Sequence, residues 1–103
     1  MIKLILSLNY YVVSENTKLS RDMKSWQISG RNRETRLLDY LRQKEHFYAM
    51  SMRGITMNFS PNFIERLKEQ DNFYVHRNPT YTKIGIAIGE VKGKLEIMLV
   101  FSG

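Results

Sequence analysis

The chain has 103 residues, no cysteine, and 16 Lys plus Arg against 10 Asp plus Glu, a formal net charge of +6. This length supports one two-layer core rather than two independent ones, so a single compact domain over residues 1–103 is expected. The lack of cysteine excludes a disulfide framework and thiolate zinc sites and suits a reducing compartment, the cytoplasm. No apolar run is long enough for a transmembrane helix, and 43% hydrophobic residues exclude a disordered chain.

In IKLILSLNYYVV, residues 2–13, the even positions are apolar and the odd ones mixed, which predicts a long β-strand with a partly covered second face rather than a signal peptide. SENTKLSRDMKSWQISGRN, 14–32, is polar with one tryptophan and reads as a short irregular segment or a brief strand docked by Met23, Trp26 and Ile28. RETRLLDYLRQKEH, 33–46, predicts a helix capped by Asn32, with Leu37, Leu38 and Leu41 on one face. HFYAMSMRGITMNF, 46–59, alternates in two pieces around Arg53-Gly54 and suggests a hairpin turn or bulge.

SPNFIERLKEQ, 60–70, predicts a second helix, with Ser60 as cap, Pro61 at the first helical position and Phe63, Ile64 and Leu67 as its stripe. Three strands follow: 72–76, 81–89 and 94–101, the last two joined through EVKG. Gly85 and Ala87 leave one strand face nearly bare, which invites close approach by a helix, most simply, or by a flat ligand. The sum is an α+β fold, a mainly antiparallel sheet with two short helices packed on one face.

The charge is uneven. Between Lys18 and Arg53 lie nine basic residues and four acids, so most of the surplus sits in about a third of the chain. Arg31, Arg33, Arg36, Arg42 and Lys44, with Trp26 as a stacking platform, form the candidate nucleic-acid-binding set. With Trp26, the aromatic candidates are Tyr10, Tyr11, Tyr40, Phe47, Tyr48, Phe73, Tyr74 and Tyr81, of which about half must belong to the core. The RNP pattern of RNA-recognition sheets, zinc-finger spacing and paired-helix readers are all absent, so this reading rests on composition.

FYVHRNPTYTK, 73–83, comes closest to chemistry. If 73–76 and 81–88 are adjacent antiparallel strands, His76, Arg77, Tyr81 and Lys83 converge at their connection. Imidazole exchanges protons near neutral pH, guanidinium grips phosphate in bidentate fashion, Lys adds a point charge and Tyr stacks or donates a hydrogen bond. Those parts are what metal-independent RNA cleavage needs, but residues of these types meet in many loops, so a solvated basic turn is the simpler reading, ahead of binding without catalysis and of cleavage. His46 and His76 are too far apart to share ligand spacing, and P-loop and dinucleotide fingerprints are missing, so no metal or cofactor is expected.

Size, charge and the cysteine-free α+β layout are similar in kind to the small ribonuclease toxins of bacterial toxin–antitoxin pairs, but no run of residues matches them and no role is carried over. Three functions follow as expectations: a small basic RNA- or DNA-binding protein that recognises the phosphate backbone, a metal-independent endoribonuclease of small-toxin type, or a protein-interaction module, for example a homodimer, that uses the methionines and long strands.

Overall fold

A computed structural model describes residues 2–29, 33–45 and 49–103. In chain order the elements are α1 (Ile2–Leu8), β1 (Ser14–Glu15), α2 (Thr17–Ser29), α3 (Arg33–Glu45), β2 (Met50–Met57), α4 (Phe63–Lys68), α5 (Asp71–Tyr74), β3 (Lys83–Val91) and β4 (Lys94–Ser102). The four strands form one sheet in the order β1-β3-β4-β2. β4 pairs antiparallel with both β2 and β3, and only the two-residue β1 runs parallel, beside β3. The fold is therefore α+β with a mainly antiparallel sheet.

The β3–β4 hairpin positions the sheet's centre. Val91 pairs with Lys94, leaving Lys92 (φ 52°) and Gly93 (φ 77°) as a two-residue loop. Positive φ at both positions matches the right-handed twist of the flanking strands, and only glycine adopts it without steric cost. Successive β4 residues then face opposite layers. Leu95, Ile97, Leu99 and Phe101 join Ile84 and Ile86 in a core with Ile5, Leu67 and Tyr74, beneath α1, α4 and α5. Met98 and Val100 join Ala87 in a second core with Leu19, Met23, Trp26, Leu37 and Leu41, beneath the α2–α3 pair. Each fully buried Leu, Ile or Phe contributes about 2 kcal/mol.

Helices thus cover both faces of the sheet. The helix expected over 33–46 belongs to the α2–α3 layer, and the one expected over 60–70 to the opposite layer. The reason lies in β3 and β4, which are apolar on both sides and so need two covers.

Five local expectations change. Residues 2–8 are a helix, because Ile5 and Asn9 are buried at a spacing of four and leucine is a good helix former; a short LIL-type run satisfies both periods. Residues 17–29 are a helix with Asn16 as its cap, the Leu19 amide donating to Asn16 Oδ1 at 3.1 Å. Its buried stripe of Leu19, Met23, Trp26 and Gln27 ends in a polar residue, which is why composition hid it.

Residues 50–57 are one uninterrupted strand in one-to-one register with β4, so Gly54 marks neither turn nor bulge. Residues 46–48 of the expected hairpin lie outside the described residues. The strand expected over 72–76 is instead α5 and an irregular continuation, because the Arg53 guanidinium takes the Phe73 and Val75 carbonyls (3.2 and 2.7 Å) that a ladder would have used. α4 begins after Asn62 rather than at Pro61, with no side-chain cap bond from Asn62.

Candidate nucleic-acid interface

The stretch after α5 is shaped by a turn. The Tyr81 amide donates to the Asn78 carbonyl at 3.2 Å across Pro79, and the Thr80 amide to Asn78 Oδ1 at 3.0 Å. Asn at the first position and Pro at the second is the sequence signature of such a turn. It folds the Tyr81 ring back onto His76 at 4.4 Å, edge to face, and the His76 ring rests on Phe101 at 5.1 Å.

His76 and Tyr81 therefore meet, as the sequence suggested, although no strand pairing brings them together. His76 Nδ1 accepts the Asn78 amide at 3.2 Å. Burial pushes the imidazole pKa down from its usual value, and the nearby Arg53 guanidinium adds to the effect. Arg53 also lies over the Phe101 ring at 5.5 Å. Arg77 is exposed. Lys83, exposed at the start of β3, donates to Ser14 Oγ at 2.6 Å and so turns toward β1.

Asn9 ties a second segment to this turn. Its buried amide donates to the Ile5 and Tyr74 carbonyls at 2.7 and 2.6 Å and accepts from the His76 amide. Further on, the Val13 amide donates to the Thr82 carbonyl at 2.9 Å and the Asn16 amide to that of Ile84 at 2.8 Å. Residues 9–16 are thus sewn along 74–84. Tyr10, 88% exposed, and Tyr11, 38% exposed, stand on this seam with rings 5.4 Å apart. Because Tyr10 follows Asn9 and Arg77 follows His76, the two exposed side chains leave the backbone on either side of one bridge.

The other sequence-predicted binding residues lie elsewhere. α3 packs with Val100 and the His76–Tyr81 pair with Phe101, so Arg42 and Lys44 belong to the helical layer across the sheet from the turn. Lys44 Nζ is 3.0 Å from Asp22 Oδ1 and donates to the Tyr40 hydroxyl at 3.1 Å. Those hydrogen bonds, the one to Tyr40 first, hold its pKa above the usual lysine value. Arg42 lies 3.5 Å from Asp39 Oδ1, and Lys18 lies 3.3 Å from Glu45 Oε2. Much of the basic cluster seen in sequence is thus matched by acids one helical turn or one helix away.

Trp26 is buried against Tyr40 at 5.0 Å and is a core residue rather than a stacking platform. Arg31 lies outside the described residues, as do the side chains of Arg33 and Arg36. Asn9 and Arg53 were missed as organisers of the site. Arg53 carried a signal, a lone cation inside an apolar alternation, which requires a partner on the covered face; Asn9 becomes visible only once residues 2–8 are read as a helix. Among the described residues no group of three or more His, Asp or Glu could hold a metal ion, and no helix is long and apolar enough to cross a membrane. Comparison with protein-family models, with curated proteins and with solved structures finds no match to this chain.

Proposed function

We propose that this protein binds single-stranded nucleic acid along the seam between residues 9–13 and 76–83. The observation that carries the reading is the exposed Tyr10–Tyr11 pair on a segment that Asn9 ties to the His76 amide, next in the chain to exposed Arg77, and that Ser14 ties to exposed Lys83. Aromatic faces stack on any base while cations track the backbone, which is the minimum equipment for sequence-tolerant single-strand binding. Leu8 and Val13, which flank the tyrosines in the chain, are exposed as well.

The net charge of +6 adds long-range attraction to a polyanion. His76 supports binding more than cleavage. Its lowered pKa favours neutral imidazole, and Nδ1 is occupied by a backbone donor, so the ring serves best as the wedge that sets the turn.

Fluorescence anisotropy with labelled oligo-U and oligo-dT tests the proposal. With two or three phosphate contacts, affinity should fall roughly tenfold between about 50 and 200 mM salt, and Tyr10→Ala should weaken binding about tenfold without changing the salt slope. Arg77→Ala combined with Lys83→Ala should flatten that slope. Affinity indifferent to salt, or to all three substitutions, would sink the assignment.

A further inference from the structure

β2 is an outer strand of the sheet, and its pairing with β4 leaves one edge unpaired among the described residues. The Gly103 amide donates to the Ala49 carbonyl at 3.1 Å, which puts 49 and 103 at a hydrogen-bonded position of the ladder. Bonded and non-bonded pairs alternate in an antiparallel ladder. In the β2–β4 register the amides and carbonyls of Ser51, Arg53, Ile55 and Met57 then face β4, and those of Met50, Met52, Gly54 and Thr56 point outward.

Natural edges of this length are usually blunted by Pro, a bulge or a charge. β2 has no Pro and no bulge. Its single charged residue, Arg53, is drawn over the sheet face by the Phe73 and Val75 carbonyls. Beside the edge, on the α2–α3 face, lies an open cavity of about 300 Å³ lined in part by Met52, Gly54, Thr56, Glu96 and Met98.

We infer that this edge is a homodimer interface, in which β2 of one copy pairs antiparallel with β2 of a second copy about a two-fold axis at Gly54. The strand's own sequence argues for a second copy as the occupant. Side chains directly opposite must share a face, so a two-fold axis passes through a residue. Centring on Arg53 would set two guanidinium groups against each other. Centring on Gly54 instead pairs Met52 with Thr56, Arg53 with Ile55 and Ser51 with Met57 of the other copy, with no like charges opposed.

In that register the outward amides and carbonyls of Met52, Gly54 and Thr56 are the ones that bond across the axis. The two cavities meet over the paired glycines, and methionine is the side chain best able to fill such irregular space. The result is a continuous eight-stranded sheet. The inference is independent of nucleic-acid binding and has the opposite salt dependence: two copies that each carry +6 repel, so salt should promote the dimer while weakening a polyanion complex.

Sedimentation velocity over about 1–500 µM protein, at low and moderate salt, should show a dimer that grows with concentration and with salt. A monomer throughout would overturn the inference and leave this edge to a foreign strand. A Cβ at Gly54 meets nothing closer than the Ile97 carbonyl oxygen at 3.9 Å, so substitutions there should leave the monomer folded.

Gly54→Lys should keep the wild-type melting temperature and weaken the dimer at least about tenfold by opposing two cations; an unchanged dimer would overturn the register. The absence of cysteine permits a direct probe. In Gly54→Cys the two thiols would sit on Cα atoms about 5.5 Å apart, inside the disulfide range, and should oxidise to a linked dimer much faster than those of Lys92→Cys on the β3–β4 turn. Equal rates would refute the two-fold at Gly54.

Discussion

Gly85 sets how closely α2 approaches the sheet. A Cβ at this position would lie 2.5 Å from Leu19 Cγ and 2.7 Å from Met23 Sδ, well inside contact distance. Both neighbours are fully buried, so the helix would have to lift or its side chains leave their rotamers. Gly85→Ala should therefore destabilise the protein by about 2 kcal/mol, read as a lower urea midpoint at unchanged slope. The bare face that Gly85 and Ala87 give β3 was visible in the sequence as an invitation to a helix. Which helix accepts it was not visible, since α2 reads as a polar loop until Asn16 is recognised as its cap.

At the scale of elements, the α2–α3 contact is organised by a pair of acids. Asp22 and Glu45 each hold a lysine, Lys44 and Lys18. Their remaining oxygens, Asp22 Oδ2 and Glu45 Oε1, are buried and find no donor among the described residues. A proton on Glu45 Oε1, donated to Asp22 Oδ2, would satisfy both oxygens. The hydrogen bond to Asp22 raises the Glu45 pKa, with burial adding to it. Burial alone would raise Asp22 as well, but the hydrogen bonds from Glu45 and Lys44 outweigh it and hold Asp22 below its usual value.

The signs follow from linkage. The Glu45 contribution to stability is complete below its ordinary pKa near 4.5 and is lost as pH rises through the raised folded value. The Asp22 contribution is present above its ordinary value of 3.8 and is lost as pH falls through the lowered one. Glu45→Gln, whose amide donates at any pH, should flatten the decline in melting temperature that the wild type shows as pH rises above the ordinary Glu45 value; parallel profiles would contradict the shared proton. The residues of α3 and their mutual spacing were legible in the sequence. The pairing with α2 was not, because it joins Asp22 to Glu45 across a helix the sequence did not reveal.

At the scale of the whole molecule, the two layers separate charges that the sequence lists side by side. Arg42 and Lys44 lie across the sheet from Tyr10 and Arg77 and are already engaged by Asp39 and Asp22. Arg42→Ala with Lys44→Ala should therefore leave single-strand affinity within about twofold, whereas Arg77→Ala with Lys83→Ala should lower it several-fold, measured by the same anisotropy titration. The reverse ranking would move the binding surface to α3. By itself the sequence determined the α+β class, the single net sign of charge, the β3–β4 hairpin and the helical character of residues 33–45, because these depend on neighbours within one or two turns of chain. Only the tertiary structure decided the helices at 2–8 and 17–29, the company His76 keeps and the separation of the basic residues. Those outcomes depend on which long-range partner, Tyr74, Ile84, Phe101 or Asp22, takes each polar group and each apolar face, and local periodicity holds no record of that choice.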